Sequence, residues 1–472
     1  MKPRIPTPRA TGALAAALLA AGALGATTPA HATGRTVHLH GTLASGATYV
    51  LDAPAHWNGT LLLFSHGYRA AGSSNPAEDA SDARTARLLL AEGYALAGSS
   101  YATTGWAVAQ AVPDQLATLD AFTARIGRAQ RTIAWGQSYG GLVTTALAER
   151  HPDRLDGSLS TCGLVQGGVA NWNSTLDPVF ALKTLLAPGS RIPLTRLGSQ
   201  ANARAAARAL TGAVTRAQRS ATGRARIALA AALHNIPGWN DPAQTRPAPT
   251  DYAAQQANQY QAMTGLLAMP AFSWRREAEH RAGGSPSWNT GVNYAALLRR
   301  SADYPEVKAL YKAAGRSLAH DLATLNKAPR LHADPSAVAY LTRNIAFTGR
   351  LRKPQLDIHT TGDPLIPVQS ESAYRRAVSA AGTTRLLRQA YVDNAGHCTF
   401  TPAERAAALH AVDRRITTGH WGDTGPAALN TAAHRLDPTT AARYIAFRPG
   451  PYPRPFDLAH HHRTNTRRVN DN

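Results

Sequence analysis

The chain has 472 residues, 44% of them hydrophobic, and carries a formal net charge of +21 at pH 7. This length allows one large domain or two ordinary ones, with enough apolar residues for a sizeable core. The basic charge is dispersed and not interleaved with aromatic residues, so no nucleic-acid partner is expected.

The first segment predicts a secretory signal peptide. Three basic residues precede an apolar run at 10–26, and a small-x-small pattern ends at Ala32. We therefore expect residues 1–32 to be removed by cleavage near Ala32 and the mature protein to be secreted. A membrane anchor is the alternative, but the run is short for a span of about 20 residues. Stable membrane insertion is therefore not expected.

Apolar strand-like runs alternate with helical patterns from residue 36 onwards. Strands are predicted at 36–43, 47–54, 59–67, 94–100, 132–136 and 155–163, and helices at 83–92, at 114–127 and directly after Ser138. The alternation resumes with a strand at 353–363, a helix at 369–381, a last strand at 384–392 and a last helix at 402–417. This pattern predicts an α/β fold with a mostly parallel, doubly wound sheet covered on both faces.

A long segment interrupts this alternation between two strands of one sheet. It is rich in Ala, Arg and Gln, with helical periodicity at 200–234 and 296–326, and it predicts a large, mainly helical cap. An independent second domain is the alternative, but insertion within one sheet makes it less natural. The predicted organisation is a signal peptide, a first core segment, the cap, a second core segment and a flexible tail: 1–32, 33–163, 164–352, 353–448 and 449–472.

One serine stands between the strand at 132–136 and the next helix. Gly136-Gln137-Ser138-Tyr139-Gly140 matches the G-x-S-x-G pattern, in which a strained turn lifts the serine hydroxyl clear of the sheet. Side chains at the two glycine positions would collide with neighbouring elements. The amino terminus of the helix favours developing negative charge. Ser138 is therefore the predicted nucleophile.

A serine hydroxyl needs a general base, and the base needs a group that orients it. In this architecture the chain order is serine, acid, histidine. Asp363 follows the strand at 353–360, and His397 lies in the loop after the last predicted strand. We expect these two residues to be the acid and the base. Asp393 is the alternative acid, and a surface or core role is the alternative for His397.

Acyl transfer also needs two N–H donors for the oxyanion. We expect one from the backbone of Tyr139, directly after the nucleophile. The other is expected from the backbone of Tyr68, in the loop after the strand at 59–67. His66 either shapes this loop or packs against the sheet edge.

Four motifs, FSHGY, GQSYGG, TGDPLIPV and GHCTF, resemble the α/β-hydrolase superfamily in their order and spacing. The resemblance covers about 36–163 and 353–417, with a cap inserted after the sixth core strand. It implies a catalytic triad of Ser138, Asp363 and His397. It also implies hydrolysis of an ester, amide or thioester without a metal or cofactor. These motifs identify the superfamily and say little about the substrate.

The cysteine directly after His397 is similar to that of tannases and feruloyl esterases, in which a disulfide ties the base to the residue before the nucleophile. In this chain the residue before the nucleophile is Gln137. The resemblance therefore implies only that a disulfide fixes the loop of the base, and not this pairing. A bond between Cys162 and Cys398 would pin the base loop beside Ser138. It would stabilise the fold by ~4–5 kcal/mol in the chain-entropy model. Two buried free thiols are the alternative.

The expected substrate is a small-molecule or polymeric carboxylic ester, cleaved through an acyl-enzyme intermediate. A serine aminopeptidase on the same fold is the alternative, and it would need acidic residues such as Glu277 and Glu279 to hold a free amine. A binding protein is disfavoured because the triad is complete. The arginines at 201–226 could attract an anionic substrate or form a solvated helix face. Several aromatic residues of the cap could line an apolar pocket or form the cap's own core: Trp172, Trp239, Phe272, Trp274 and Trp288.

Overall fold

The computed structural model describes residues 36–455, which build one nine-stranded sheet with helices on both faces. The strands are β1 (Val37–Thr42), β2 (Thr48–Ala53), β3 (Thr60–Ser65), β4 (Ala95–Ser99), β5 (Arg131–Gln137), β6 (Gly157–Thr161), β7 (Gln355–Gly362), β8 (Leu387–Ala395) and β9 (Tyr444–Ile445). Their order across the sheet is β1-β2-β4-β3-β5-β6-β7-β8-β9. The pairings from β4 to β8 are parallel, whereas β1, β2 and β9 join antiparallel at the edges. The predicted α/β fold with a mostly parallel sheet is confirmed, and the predicted signal peptide lies outside the described residues.

Helices cover the first half of the sheet and bury its inner strands. They are α1 (Ala83–Ala91), α2 (Ala111–Arg125) and α3 (Tyr139–Arg150). Every residue of β3 and β4 is buried, which explains why their sequences are nearly continuous apolar runs. β5 passes directly into α3, with Ser138 as the one residue between them.

The segment between β6 and β7 is helical, as its periodicity predicts. It contains α4 (Gly168–Leu186), α5 (Gln200–Ala217), α6 (Ala221–Ala232), α7 (Tyr252–Ala268), a π-helical turn (Pro270–Trp274), α8 (Arg275–Ala282), α9 (Tyr294–Leu298), α10 (Tyr304–Ala313), α11 (Leu318–Lys327) and α12 (Pro335–Ile345). Most of these helices share a hydrophobic cluster of their own. Trp172 of α4, Ala278 of α8 and Leu341 of α12 instead join a cluster that contains strand residues such as Leu63. The inserted helices are thus packed onto the sheet through α4, α8 and α12.

The arginines of α5 occupy its exposed face. Arg204 and Arg208 are exposed, whereas Ala203 and Leu210 of the same helix are buried. This arrangement agrees with the solvated helix face that the sequence allowed for. Among the described residues, no helix is both long enough and apolar enough to cross a membrane.

The second core segment, predicted at 353–448, contains more elements than the sequence predicted. It contains α13 (Ser370–Ala380), α14 (Pro402–Thr418) and α15 (Pro426–Leu436). The helix predicted at 402–417 is therefore not the last one, and the strand predicted at 384–392 is not the last strand. β9 pairs with β8 over only two residues, which is too short for a periodicity. Only Leu429 and Ala433 of α15 are buried, so its apolar pattern is weak.

The structure differs from the predicted flexible tail over the first residues of that segment. Tyr452 is fully buried, and its hydroxyl lies 2.5 Å from the hydroxyl oxygen of Ser174 on α4. Arg454 pairs with the buried carboxylate of Asp177, also on α4, at 3.2 Å. Residues 449–455 therefore pack against the inserted helices, and 456–472 lie outside the described residues.

We expect Tyr452→Ala to lower the free energy of unfolding by about 3–5 kcal/mol, because it empties a fully buried aromatic site. Arg448→Ala is the matched control, since Arg448 is exposed in the same segment and should change stability by about 0.5 kcal/mol or less. Denaturant unfolding of both variants measures the difference. Equal stability of the two variants would show that this segment contributes nothing to the fold.

Candidate active site

Ser138 occupies the turn between β5 and α3 with φ 57° and ψ −122°. A side chain at positive φ is strained, so the conformation persists only because the surrounding structure imposes it. A Cβ on Gly140 would overlap the carbonyl oxygen of Ser65, and one on Gly136 would overlap the carbonyl of Gly140. The prediction that side chains would collide at the two glycine positions is therefore confirmed.

Ser138, His397 and Asp363 form a continuous chain of hydrogen-bond contacts. Nε2 of His397 lies 2.7 Å from Oγ of Ser138, and Nδ1 lies 2.6 Å from Oδ2 of Asp363. When Nδ1–H donates to the carboxylate, the neutral ring keeps Nε2 as an acceptor for the serine hydroxyl. The structure thus brings together the three residues that chain order singled out.

The carboxylate of Asp363 is held on both of its oxygens. Oδ1 accepts the backbone N–H groups of Leu365 and Ile366 at 2.8 and 2.9 Å. Burial alone would raise the pKa of Asp363, but the charge of His397 and hydrogen bonds from His359 and His397 outweigh it. Together they lower this pKa to about 2. The group is therefore an ionised hydrogen-bond acceptor at neutral pH.

The alternative acid, Asp393, has different partners. It lies on β8, where its carboxylate pairs with Arg246 at 2.8 Å and accepts a hydrogen bond from Thr361 at 3.4 Å. The carboxylate that contacts His397 is that of Asp363.

The loop after β3 brings Tyr68 beside the nucleophile. A Cβ on Gly67 would lie 3.8 Å from Cβ of Ser138. Within the part of the chain that the structure describes, the backbone N–H groups of Tyr68 and Tyr139 donate to no backbone carbonyl. The ring of His66 is buried, with its nitrogens 2.7 Å from the carbonyl oxygen of Gly67 and 3.0 Å from that of Ser100. His66 therefore ties the Tyr68 loop to the end of β4.

A disulfide joins Cys162 to Cys398, with Cα atoms 5.4 Å apart. Both residues have positive φ, 45° and 58°. The sulfur of Cys398 lies 3.5 Å from Nε2 of His397. The predicted bond is confirmed, and it fixes the base loop to the end of β6.

One group of three potential metal ligands occurs within residues 36–455: Cys162, His397 and Cys398. The disulfide uses both sulfurs, and the two ring nitrogens of His397 contact Asp363 and Ser138. This group therefore offers no ligand set in the disulfide-bonded protein.

An aromatic cluster surrounds the Tyr68 loop. The ring of Tyr68 is centred 4.5 Å from that of Trp274 and 6.1 Å from that of Trp106. Trp106 is buried, 5.0 Å from Trp172, whereas Tyr68 and Trp274 are half-buried. Tyr68 lies in the loop after β3 and Trp106 in the loop after β4. The sequence did not predict their contact, because nothing in it shows that these two loops meet.

The aromatic residues singled out in the insertion have separate roles. Trp172 and Phe272 are fully buried core residues, and Trp274 and Trp288 are half-buried against the core cluster that contains Trp172. Trp239 lies 4.9 Å beneath the guanidinium of Arg246, beside a cavity of about 290 Å³ on the Asp363 loop. Of these five residues, Trp274 is the one whose ring contacts that of Tyr68.

The chain is similar to several known proteins. The family model of the alpha/beta hydrolase fold matches residues 63–401. An "o-phthalyl amidase" of Xanthobacter agilis is 31% identical over 443 residues, which cover 87% of this chain and 96% of that protein. Feruloyl esterase B from Aspergillus oryzae is 14% identical, with 81% of this chain and 80% of that chain covered at a TM-score of 0.36. Acylaminoacyl peptidase from Pyrococcus horikoshii is 10% identical, with 81% and 42% covered at a TM-score of 0.34.

We expect reduction of the disulfide to slow substrate hydrolysis before the sheet unfolds. The His397 loop loses its covalent tie to β6, and a misplacement of about 1 Å can lower the rate ~10²-fold. Activity and near-UV circular dichroism of the protein with and without reductant measure the two effects, and a thiol count on denatured protein measures the extent of reduction. Full activity after complete reduction would show that the bond has no part in positioning the base.

Proposed function

The chain is a hydrolase of the α/β-hydrolase family, and from that premise we propose that it transfers an acyl group to Ser138 and then to water. The observation that carries this proposal is the hydrogen-bond chain from Ser138 through His397 to Asp363, at 2.7 and 2.6 Å. The strained, partly exposed position of Ser138 at the start of α3 supports it. Ser138, His397 and Asp363 are thus the proposed nucleophile, base and orienting acid.

In the first half-reaction, Oγ of Ser138 attacks the carbonyl carbon while Nε2 of His397 takes the hydroxyl proton. The ionised Asp363 stabilises the imidazolium through Nδ1–H. The carbonyl oxygen becomes an oxyanion, for which the N–H groups of Tyr139 and Tyr68 are the proposed donors. The amino terminus of α3 adds a favourable potential at the same place.

The proton on Nε2 then passes to the leaving group, which departs as an alcohol or an amine. A water molecule takes the place of the leaving group, and His397 accepts its proton as the water attacks the acyl carbon. Collapse of the second tetrahedral intermediate returns the proton to Oγ and releases the carboxylic acid. The same proton path therefore serves an ester and an amide.

The proposed acyl group is aromatic. The rings of Tyr68 and Trp274 are half-buried and centred 4.5 Å apart, and the Tyr68 ring is centred 6.4 Å from that of Tyr139, the residue after Ser138. A flat ring can stack against such a surface and gain both burial and favourable ring geometry. A flexible aliphatic chain gains the burial alone and loses more conformational entropy.

An amide is a second candidate for the scissile bond. The observation that favours it is the relative named "o-phthalyl amidase", which is 31% identical over nearly its whole length. The phthalyl group of that name is aromatic, in agreement with an acyl group that stacks against the rings of Tyr68 and Trp274. Carboxylic esters remain the class that the sequence predicts, and an enzyme that cleaves an amide also accepts activated esters of the same acid, whose leaving group departs more easily.

The partners of Glu277 and Glu279 argue against the alternative aminopeptidase function, which would need such carboxylates to bind a substrate amine. Glu277 pairs with Arg281 and accepts the backbone N–H of Trp106 at 2.6 Å. Glu279 accepts the backbone N–H groups of Arg196 and Leu197 at 2.8 and 2.9 Å. Both carboxylates are buried, and both oxygens of each already accept hydrogen bonds. Glu277 joins the insertion to the core, and Glu279 joins two segments of the insertion, so neither has an oxygen left unpaired for a substrate amine.

Secretion is part of the proposal. A structural disulfide forms and persists in oxidising compartments, and Cys162–Cys398 is such a bond. This disulfide supports the proposal that the protein is exported after signal-peptide cleavage near Ala32.

We expect Ser138→Ala to lower kcat by ~10⁴–10⁶ with the fold intact, because Oγ supplies the nucleophile and little packing. Asp363→Asn should lower kcat by about 10⁴, because it favours the wrong tautomer of His397. Asp393→Asn is the matched control and should leave kcat nearly unchanged. Steady-state kinetics and circular dichroism of the three variants provide the test. Near-normal turnover by Ser138→Ala, or a larger loss in Asp393→Asn than in Asp363→Asn, would overturn the assignments.

A matched substrate panel tests the acyl group and the bond. We expect benzoyl and 2-carboxybenzoyl substrates to exceed hexanoyl substrates in kcat/KM, both as p-nitrophenyl esters and as p-nitroanilides. Trp274→Ala should remove this preference, because it removes one of the two rings, Tyr68 and Trp274, against which the aromatic acyl group would stack. Turnover of the hexanoyl substrates by the same variant is the internal control. Strong turnover of aminoacyl anilides with negligible turnover of the acyl series would instead support the aminopeptidase.

A further inference from the structure

One face of β7 carries polar side chains although it is completely buried. Gln355, Asp357 and His359 alternate along the strand, which places them on the same face, and each is 0% exposed. Buried polar groups are costly unless they are paired. Gln355 donates to Oδ1 of Asp357 at 2.8 Å, and His359 contacts Glu371 of α13 at 2.9 Å. Within residues 36–455, Oδ2 of Asp357 has no hydrogen-bond partner.

The imidazole of His359 lies between two carboxylates. Nδ1 is 2.9 Å from Oε1 of Glu371. Nε2 is 2.9 Å from the carbonyl oxygen of Ile366 and 3.5 Å from Oδ2 of Asp363. When Glu371 is ionised, all of these partners are acceptors, and only the doubly protonated ring can donate from both nitrogens. With two carboxylates flanking one buried ring, the geometry favours an imidazolium directly beside the proposed catalytic acid.

The charges around this ring agree with that protonation state. Burial lowers the pKa of His359, but the hydrogen bonds and charges of Asp363 and Glu371 outweigh burial and raise it to about 10. Burial and the neighbouring Glu371 raise the pKa of Asp357 well above its usual value, so Asp357 is neutral. On α13 and β8, Tyr374 and Tyr391 interact electrostatically with Glu371, and Arg375 interacts with Tyr391. Burial raises the pKa of both tyrosines, so both are neutral.

We propose that His359 is a positioning residue, a fixed cation that keeps Asp363 ionised and correctly oriented for His397. The proposal rests on the acyl-transfer function above. His359 acts through Asp363 and contacts neither of the other two residues in the described structure. Asp363 thus receives two backbone N–H groups on one oxygen and two histidine rings on the other.

The sign of the effect on catalysis follows from the charges. The positive charge of His359 opposes protonation of His397, and the negative charge of Glu371 favours it. His359→Gln should therefore move the acid limb of the kcat/KM profile to higher pH, by about one unit. Replacing both acids, Asp357→Asn with Glu371→Gln, should move it to lower pH.

The experiment compares four proteins: wild type, His359→Gln, the double variant, and Asp357→Asn alone. Asp357→Asn is the matched control, since it lies on the same buried face and removes no charge, so its acid limb should not move. Thermal unfolding of each variant separates stability from the pH effect. A merely structural role would lower stability and kcat without moving the acid limb in opposite directions.

A second readout needs no substrate. The ¹H NMR signal of the Nδ1 proton of His397, titrated with pH, should show the same shifts, and it can be followed even if Ser138 is not the nucleophile. A loss of the proposed function would therefore leave this measurement intact. If His359→Gln does not fold, the double variant decides. A folded His359→Gln variant or a folded double variant whose titration midpoint equals that of the wild type, in either readout, would overturn the proposal.

Discussion

Ser138 stands between the last residue of β5 and the first residue of α3 with a positive φ, and every other part of the site is placed relative to that turn. The turn is possible because Gly136 and Gly140 let the helix start approach the backbone at Ser65. The same close approach brings the loop after β3 beside the serine, with Tyr68 in it. Strain at one residue is thus held by packing that extends over two strands and a helix.

The sheet supplies the rest of the geometry. Parallel strands place their carboxyl ends along one edge, so the loops after β5, β7 and β8 meet there although they are far apart in the sequence. The disulfide fixes the His397 loop against β6, and His359 with two backbone N–H groups fixes Asp363 from below. Each proposed catalytic side chain is therefore held by a different kind of interaction: backbone strain for Ser138, a covalent bond for His397 and a buried charge network for Asp363.

The sequence predicted what local pattern and chain order can reveal. The alternation of apolar runs predicted the sheet, and the G-x-S-x-G turn with the order of Ser138, Asp363 and His397 predicted which side chains would meet. It did not predict α15 and β9, because a weak apolar pattern and a two-residue strand leave no periodicity. The packing of Arg454 was also missed, since its partner Asp177 lies in a distant helix. His359 was missed because one polar residue within a strand does not reveal that two carboxylates flank it.

The central claim is that Ser138 is activated by the assembled site. The most direct measurement is intact-protein and peptide mass spectrometry after reaction with a fluorophosphonate, which forms a covalent bond with an activated serine oxygen. The account predicts one adduct per chain, located on Ser138, with a rate that falls when His397 is protonated at low pH. An unmodified Ser138 under conditions of full hydrolytic activity, or an adduct on another residue that accounts for inactivation, would contradict it.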